Sequence, residues 1–415
     1  MKVLYERCAG LDVHKKFIAA CCITPGADDR PQKEKRVFRT MTRDLLTLSD
    51  WLEQEGCTHV AMESTGAYWK PVYNILEQRF HVMLSNAKEV KNVPGRKTDI
   101  SDAEWIADLA RHGLIRGSFI PPEPTRVLRE LTRYRTAIIR QRAAEVNRLQ
   151  KILEDTNIKL SSVATDITGV SAQNMLSELL SGKTDVQKIA DLARGRMRNK
   201  MPDLHKALEG KMKSHHQIII HKMMSRIKQM DEDIAELNTE IERHNFFFEE
   251  DKIIKHLDEI PGVDKKAAQI IIAEIGTNMH QFPTAGHLAS WAGMCPGNNK
   301  TGGKRKSGKT TKGSPWIRSI LVQCAHAAGK TKDTYLSSLY HRMAARKGKK
   351  RAAVAVGHAI LIATYHIIKD GAHYQELGAQ YLDRIDRSKV AKRLKRRLES
   401  IGYQVELKDR ERISA

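Results

Sequence analysis

The sequence predicts an α/β domain at the N-terminus joined to a longer, mostly helical and strongly basic region. Three observations predict it. Strand-like and helix-like stretches alternate over the first 115 residues. An apolar seam with steps of three and four runs through residues 216–245. The charge is lopsided: the 415 residues carry a formal net charge of +22, yet residues 1–118 hold 18 Lys+Arg against 16 Asp+Glu. A nearly neutral module is therefore attached to a very basic one, and an excess of that size points to a polyanionic partner.

The elements follow in order. Cys8 to Val13 and Phe17 to Thr24 read as two strands, separated by Asp12-Val13-His14-Lys15-Lys16 as a strand end and turn. Arg36 to Thr40 is a weaker third strand. Leu45, Leu48 and Leu52 set a helix over Thr42 to Glu55. Thr58 to Met62 is a strand running into Glu63, Ala67 to Arg79 a helix, His81 to Leu84 a strand, and Asp99 to His112 a helix. Three antiparallel strands followed by alternating helices and strands make a mixed sheet. Pro121, Pro122 and Pro124 break the chain.

Beyond the prolines, Leu128, Leu131, Ile138, Val146, Leu149 and Leu153 share one side of a helix from about Thr125 to Ile158. Residues 161–213 are more polar and read as short helices. The seam Ile220, Met223, Ile227, Met230, Ile234, Leu237, Ile241 and His244 is the sequence form of a coiled coil. It leaves open self-association or an antiparallel hairpin with the 125–158 helix. The domain expectation is 1–118, 119–250 as helical connector, 251–372, and a basic tail over 373–415. From Ile275 to Lys332 there is no acidic residue against nine Lys or Arg, which an ordinary solvated surface does not explain. The six cysteines form no Cys-x-x-Cys pair, which argues against a zinc ribbon. Few cysteines and a charged N-terminus fit a cytoplasmic chain, and no run of 18 apolar residues exists to span a membrane.

Four carboxylates carry the chemistry. Asp12 and Glu63 close two strands, and Asp99 and Asp102 sit three apart at the start of a helix and so share a face. Gathered together, like charges repel unless a cation neutralises them, and hard oxygen ligands suit Mg²⁺ or Mn²⁺. Two such ions roughly 4 Å apart can serve phosphodiester chemistry. Taken singly, Asp99 also reads as an N-cap and Asp102 as a favourable first-turn charge. The contexts Gly10-Leu-Asp12-Val-His14, Glu63-Ser-Thr-Gly66 and Lys97-Thr-Asp99-Ile-Ser-Asp102 weigh against that.

These three blocks resemble the insertion-sequence transposases with a DEDD tetrad, the bridge-RNA-guided recombinases related to Piv-type DNA invertases. The resemblance implies a RuvC-like version of the ribonuclease H fold at the N-terminus and makes Asp12, Glu63, Asp99 and Asp102 the tetrad. It also implies DNA partners, a non-coding guide RNA, and a homo-oligomer in which a hydroxyl of one subunit completes the site of another.

In the C-terminal unit, Ile260-Pro261-Gly262-Val263-Asp264 resembles a helix–hairpin–helix, whose backbone N–H groups contact phosphate without reading sequence. The usual second glycine is replaced by Asp264. Trp291 to Thr310 resembles the signature block of the same family's C-terminal domain, where a serine before a small-residue pair is the covalent nucleophile. The best-matching position here is Thr301; Ser307, also before glycine, is the other candidate. Lys300, Lys304, Arg305 and Lys306 can stabilise the charge developing on phosphorus, with Lys309 and Lys312 as further nucleic-acid contacts. The expected function is strand cutting and rejoining by a recombinase. The alternatives are a metal-dependent, junction-resolvase-like nuclease without a covalent intermediate, and a non-enzymatic nucleic-acid-binding protein.

Overall fold

The computed structural model describes residues 2–26, 30–64, 66–85, 101–115, 117–246, 250–297, 299–302, 304–385 and 387–407, with backbone only for 245–246, 250–251, 299–301 and 304–307. The chain forms two compact units, Met1–Ile120 and Pro121–Ala415.

The first unit is a five-stranded sheet in the order β3-β2-β1-β4-β5. Its strands are β1 (Cys8–Val13), β2 (Phe17–Pro25), β3 (Pro31–Arg39), β4 (His59–Glu63) and β5 (His81–Ser85). The first three are antiparallel, while β4 and β5 run parallel to β1. That mixed order is the arrangement of the ribonuclease H fold.

Period-two alternation sorts β1 between the two faces of the sheet. Ala9, Leu11 and Val13 join a core with Leu45, Leu48, Trp51 and Leu52 of α1 (Thr42–Gln54) and Val72 and Leu76 of α2 (Trp69–Leu76). Cys8 turns to the opposite face and packs on Ala103 and Ala107 of α3 (Asp102–Arg111). Gly10 also lies under α3: a Cβ there would stand 2.2 Å from the Ala103 carbonyl oxygen and 2.3 Å from the Ala107 nitrogen. Only glycine lets the helix lie this close to the strand.

β3 is longer than its sequence suggests because its residues are mostly polar. The strand lies at the sheet edge, where charge is tolerated, and its lysines reach α3. Lys33 Nζ lies 3.1 Å from Glu104 and 2.9 Å from Asp108, and Lys35 Nζ lies 2.5 Å from Glu104. The Lys35 ammonium holds the Glu104 carboxyl below its ordinary value of 4.5.

In the second unit, the long helix α4 (Glu123–Asp155) ends at a group of short helices: α5 (Leu160–Val163), α6 (Val170–Leu180), α7 (Val186–Ala190) and α8 (Met201–Leu208). They enclose a small core with Leu149, Leu153, Met175, Leu176, Ile189, Leu204 and Leu208. The chain returns along α9 (Ser214–Phe246). Contacts between α4 and α9 step in opposite directions, Asp155 with His216, Arg142 with Asp231 and Arg135 with Asn238, so the pair is antiparallel. Of the two arrangements the seam left open, the chain uses the hairpin. Ile220, Ile227 and Ile241 are fully buried, and Met223, Met230, Ile234, Leu237 and His244 half-buried.

The remaining helices are α10 (Glu250–Asp258), α11 (Lys265–Ile275), α12 (Ala285–Trp291), α13 (Pro315–Ala328), α14 (Tyr335–Lys347), α15 (Lys349–Asp370), α16 (Tyr381–Ile385) and α17 (Arg387–Ser400). Among the described residues, α15 is the one helix long and apolar enough to cross a membrane by composition. Its Val356, Ile360, Leu361 and Tyr365 are buried in the unit's own core, which accounts for its apolarity. The base of the hairpin is tied to α11 by a buried acid. Glu274, 1% exposed, takes a two-pronged contact from Arg133 at 2.6 and 2.8 Å and a hydrogen bond from Ser314 Oγ. Arg129 donates to the last carbonyls of α11, at Ala273 and Glu274.

Candidate functional site

The carboxylates of the first unit are placed by sheet register. β1 and β4 pair as Gly10 with Ala61 and Leu11 with Met62, so Asp12 and Glu63 follow as the next position on neighbouring parallel strands. Both share strand parity with Gly10 and Ala61, the residues that face α3. α3 runs antiparallel to β1: its last residue, Arg111, accepts backbone hydrogen bonds from Leu4 and Tyr5, while Ala103 covers Gly10. The N-terminus of α3, at Asp102, therefore lies at the same end of the sheet as Asp12 and Glu63. The N–H groups of its first turn have no acceptor within the helix and favour negative charge there.

Asp12 and Glu63 are half-buried and Asp102 exposed. Their oxygens do not all lie within 4.8 Å of one another, and Asp99 is outside the described residues. The donor set is all oxygen, set on two strand ends and a helix start, and that chemistry fits hard divalent cations. The N-cap position of α3 belongs to Ser101, which makes no side-chain capping bond. His14 stands beside Asp12 and is not among the residues singled out from the sequence. Its Nε2 lies 3.0 Å from Asp12 Oδ2, and its spacing of two from Asp12 at a strand end was the available signal.

The C-terminal candidates sit on a β-hairpin rather than a plain loop. β6 (Asn299–Thr301) pairs antiparallel with β7 (Lys304–Ser307), with Thr301 opposite Lys304, Lys300 opposite Arg305, and Asn299 opposite Ser307. Thr301 is thus at the turn, where Gly302 has φ +55°, and Ser307 at the base. A two-residue turn carries such a hairpin only with residues able to adopt positive φ. Below it, Gly297 N–H donates to Lys309 O at 2.7 Å, and Pro296 bridges Thr310. At the neck, Gly293 and Gly313 pass backbone to backbone; a Cβ on Gly313 would stand 2.3 Å from the Gly293 nitrogen. Lys309 and Lys312 are exposed.

The Pro261-Gly262 turn joins α10 to α11. Asp264 caps α11 by accepting from Ala267 N–H at 2.7 Å, which is why an acid stands where the phosphate-binding pattern has glycine. Gly262, at φ +86°, lies against α13: a Cβ there would stand 2.4 Å from the Ala328 nitrogen. The glycine is therefore required for packing within the chain, whatever else the turn contacts.

Two family models match this chain. One, described as a transposase and built on the DEDD transposases of the IS110 type, covers residues 9–158. The other, the transposase IS116/IS110/IS902 family, covers residues 254–341. The chain is also similar to a probable family 20 transposase of Pseudomonas aeruginosa, 26% identical over 272 residues, 65% of this chain and 70% of that one. It resembles an uncharacterised insertion element IS116 protein of Streptomyces clavuligerus, 24% identical over 290 residues, 61% of this chain and 71% of that one. A third relative is an uncharacterised insertion element IS110 protein of Streptomyces coelicolor, 24% identical over 308 residues, 68% and 73% of the two chains. The fold and these matches define a DNA-processing enzyme, a transposase of the divalent-metal-dependent DEDD class. Within that class the chain belongs to the IS110 family.

Proposed function

We propose that the chain is a recombinase of a mobile insertion sequence that cuts and rejoins DNA strands through a covalent protein–DNA intermediate, guided by a non-coding RNA. The observation that carries this reading is the convergence of Asp12, Glu63 and the start of α3 at one end of the sheet, in a chain whose other unit holds hydroxyls on a basic hairpin. A hydrolytic nuclease needs the first feature and has no use for the second.

Asp12, Glu63, Asp99 and Asp102 would hold Mg²⁺ or Mn²⁺, which would polarise the scissile phosphate and lower the pKa of the attacking oxygen. Thr301 Oγ1 attacks phosphorus and gives up its proton, a deoxyribose oxygen leaves, and a threonine–phosphate ester forms. A DNA hydroxyl then displaces the threonine and rejoins the strand. Lys300, Lys304, Arg305 and Lys306 offset the charge that builds on phosphorus. Ser307 is the alternative nucleophile. Pro261, Gly262, Lys309 and Lys312 contact nucleic-acid backbone, a role that a guide RNA and DNA satisfy equally.

Because the two halves lie on separate units, the reading includes a homo-oligomer in which one copy's hairpin meets another's carboxylates. The half-buried Met230, Ile234 and Leu237 of the α4–α9 hairpin offer surface for such a contact. The test is strand exchange in cells carrying donor, target and guide. Asp12→Asn and Asp102→Asn each abolish exchange; unchanged exchange in either removes the tetrad from the mechanism.

A further inference from the structure

Apart from the carboxylates, one cluster of ligating side chains is assembled in the second unit. His256 lies in the last turn of α10, and Glu259 follows one turn later, just past the helix end. His373 comes from the other side of the sequence. α15 ends at Gly371 with φ +65°, and that left-handed residue turns the chain back toward α10. His373 Nδ1 then lies 2.9 Å from Glu259 Oε1 and 3.3 Å from Oε2, and Tyr374 N–H donates to Oε2 at 3.2 Å. The His256 and His373 rings stand 4.1 Å apart, centroid to centroid. One nitrogen from each histidine and one Glu259 oxygen all fall within 4.8 Å of one another.

Two imidazoles facing one carboxylate at this spacing offer two nitrogen donors and one oxygen donor. Among the described residues this is the one set of three His, Cys, Asp or Glu so closely gathered. We propose that His256, Glu259 and His373 bind a borderline divalent cation of the zinc class and that the ion clips the segment after α15 onto α10. Nitrogen ligands select zinc, cobalt or nickel over magnesium, so this site is chemically distinct from the all-oxygen carboxylates. Three protein ligands leave a position for water.

The clip has a structural purpose. The strap of residues 371–378 is pinned at its far end by Glu376, which accepts from Tyr335 N–H at the start of α14 and from Gly378 N–H, both at 2.7 Å. Its near end meets Glu259 and His256. Beneath the strap lies a cavity of about 660 Å³ lined by Leu336, Ile362, Ile367, Tyr374 and Leu377. A metal at the near end would fix the strap at both ends, beside this apolar space.

The experiment titrates chelator-stripped full-length protein with Zn²⁺ alone, in excess Mg²⁺ so that hard-oxygen sites are occupied. The expected result is one Zn²⁺ per chain, with affinity falling about a hundredfold or more in His373→Ala and in His256→Ala, beyond what loss of an outer partner causes. Glu259→Gln weakens binding less, and Asp12→Asn leaves it unchanged. Hydrogen exchange at residues 372–377 slows with Zn²⁺ in the wild type and not in His373→Ala. Should the histidine variants misfold, X-ray absorption of the Zn²⁺-loaded wild type decides: two imidazoles and a carboxylate in the first shell support the site. Wild-type affinity in both histidine variants, a first shell lacking two imidazoles, or no binding in excess Mg²⁺ reduces the cluster to a surface ion pair and overturns the proposal.

Discussion

The two halves of the proposed site are held in different ways. Asp12 and Glu63 sit at the ends of buried parallel strands, locked by register and by a helix that lies directly on Gly10. Thr301 and Ser307 ride on a two-stranded hairpin whose neck is a close glycine–glycine crossing. A metal cradle needs ligands fixed to fractions of an ångström, which a sheet provides. On the proposed reading, the nucleophile that attacks a phosphate and is later displaced is carried by the hairpin. The difference assigns precision to the first unit and reach to the second.

The comparison can be broken by substitutions of graded effect. Glu63→Gln removes one charge from the cradle without altering the hairpin; strand exchange should fall by on the order of 10²–10³, as when one electrostatic stabiliser of a transition state is lost. Exchange at the wild-type rate would mean that Glu63 is outside the cradle. Gly10→Ala places a methyl group on the α3 backbone and should destabilise the protein by about 3 kcal/mol, measured by denaturant unfolding of the first unit's transition. A smaller loss than about 1 kcal/mol would show that α3 is not held at this distance.

In the second unit, Glu274→Ala takes the carboxylate away from Arg133 and Ser314 at the base of the hairpin, while Arg129 keeps its backbone acceptors. Breaking a fully buried pair costs about 3–5 kcal/mol. Arg133 is 36% exposed, so about 2 kcal/mol is expected, read as a shift of the second unit's unfolding midpoint. Acid separates the units further. The carboxyl of Glu104 is depressed in the folded state, so its contribution is present in full above 4.5 and fades as pH falls below that value. The edge strand β3 should therefore loosen from α3 at low pH, visible as faster hydrogen exchange in residues 102–111. An α3 that keeps its protection as pH falls would discount the lysine clamp. The smallest effect is expected from Lys309→Ala and Lys312→Ala, each lowering the salt slope of DNA or RNA binding by about 1 without changing sequence preference.

Much of the first unit was legible because its signals are local. β1 begins and ends where the apolar run does, and α1 runs from Thr42 to Gln54, one residue short of the helix its leucine spacing predicts. β3 was seen only in part because Pro31–Lys35 carry no strand-like pattern; pairing with β2 and the lysine contacts to Glu104 make it a strand. β6 and β7 have no strand-like pattern for a related reason, since glycines and lysines hide an antiparallel register that depends on the neck below. Asp12, Glu63 and Asp102 could be named from sequence because each closes or opens an element. Their shared end of the sheet required the 3-2-1-4-5 order. The seam of α9 could not declare its partner, because an apolar stripe is the same whether another chain or α4 covers it. His256, Glu259 and His373 escaped notice because Glu259 and His373 stand 114 residues apart and meet only when Gly371 reverses the chain.

The central claim is that a hydroxyl of the second unit works with carboxylates of the first, and trapping a protein–DNA adduct tests it most directly. Denaturing electrophoresis of full-length protein with guide, donor and Mg²⁺, followed by mass spectrometry of the adducted peptide, should place DNA on Thr301. The adduct should vanish in Thr301→Ala, persist in Ser307→Ala, and fail to form in Asp12→Asn. An adduct that survives both Thr301→Ala and Ser307→Ala, or DNA cleavage at full rate with no adduct in the wild type, would contradict the account.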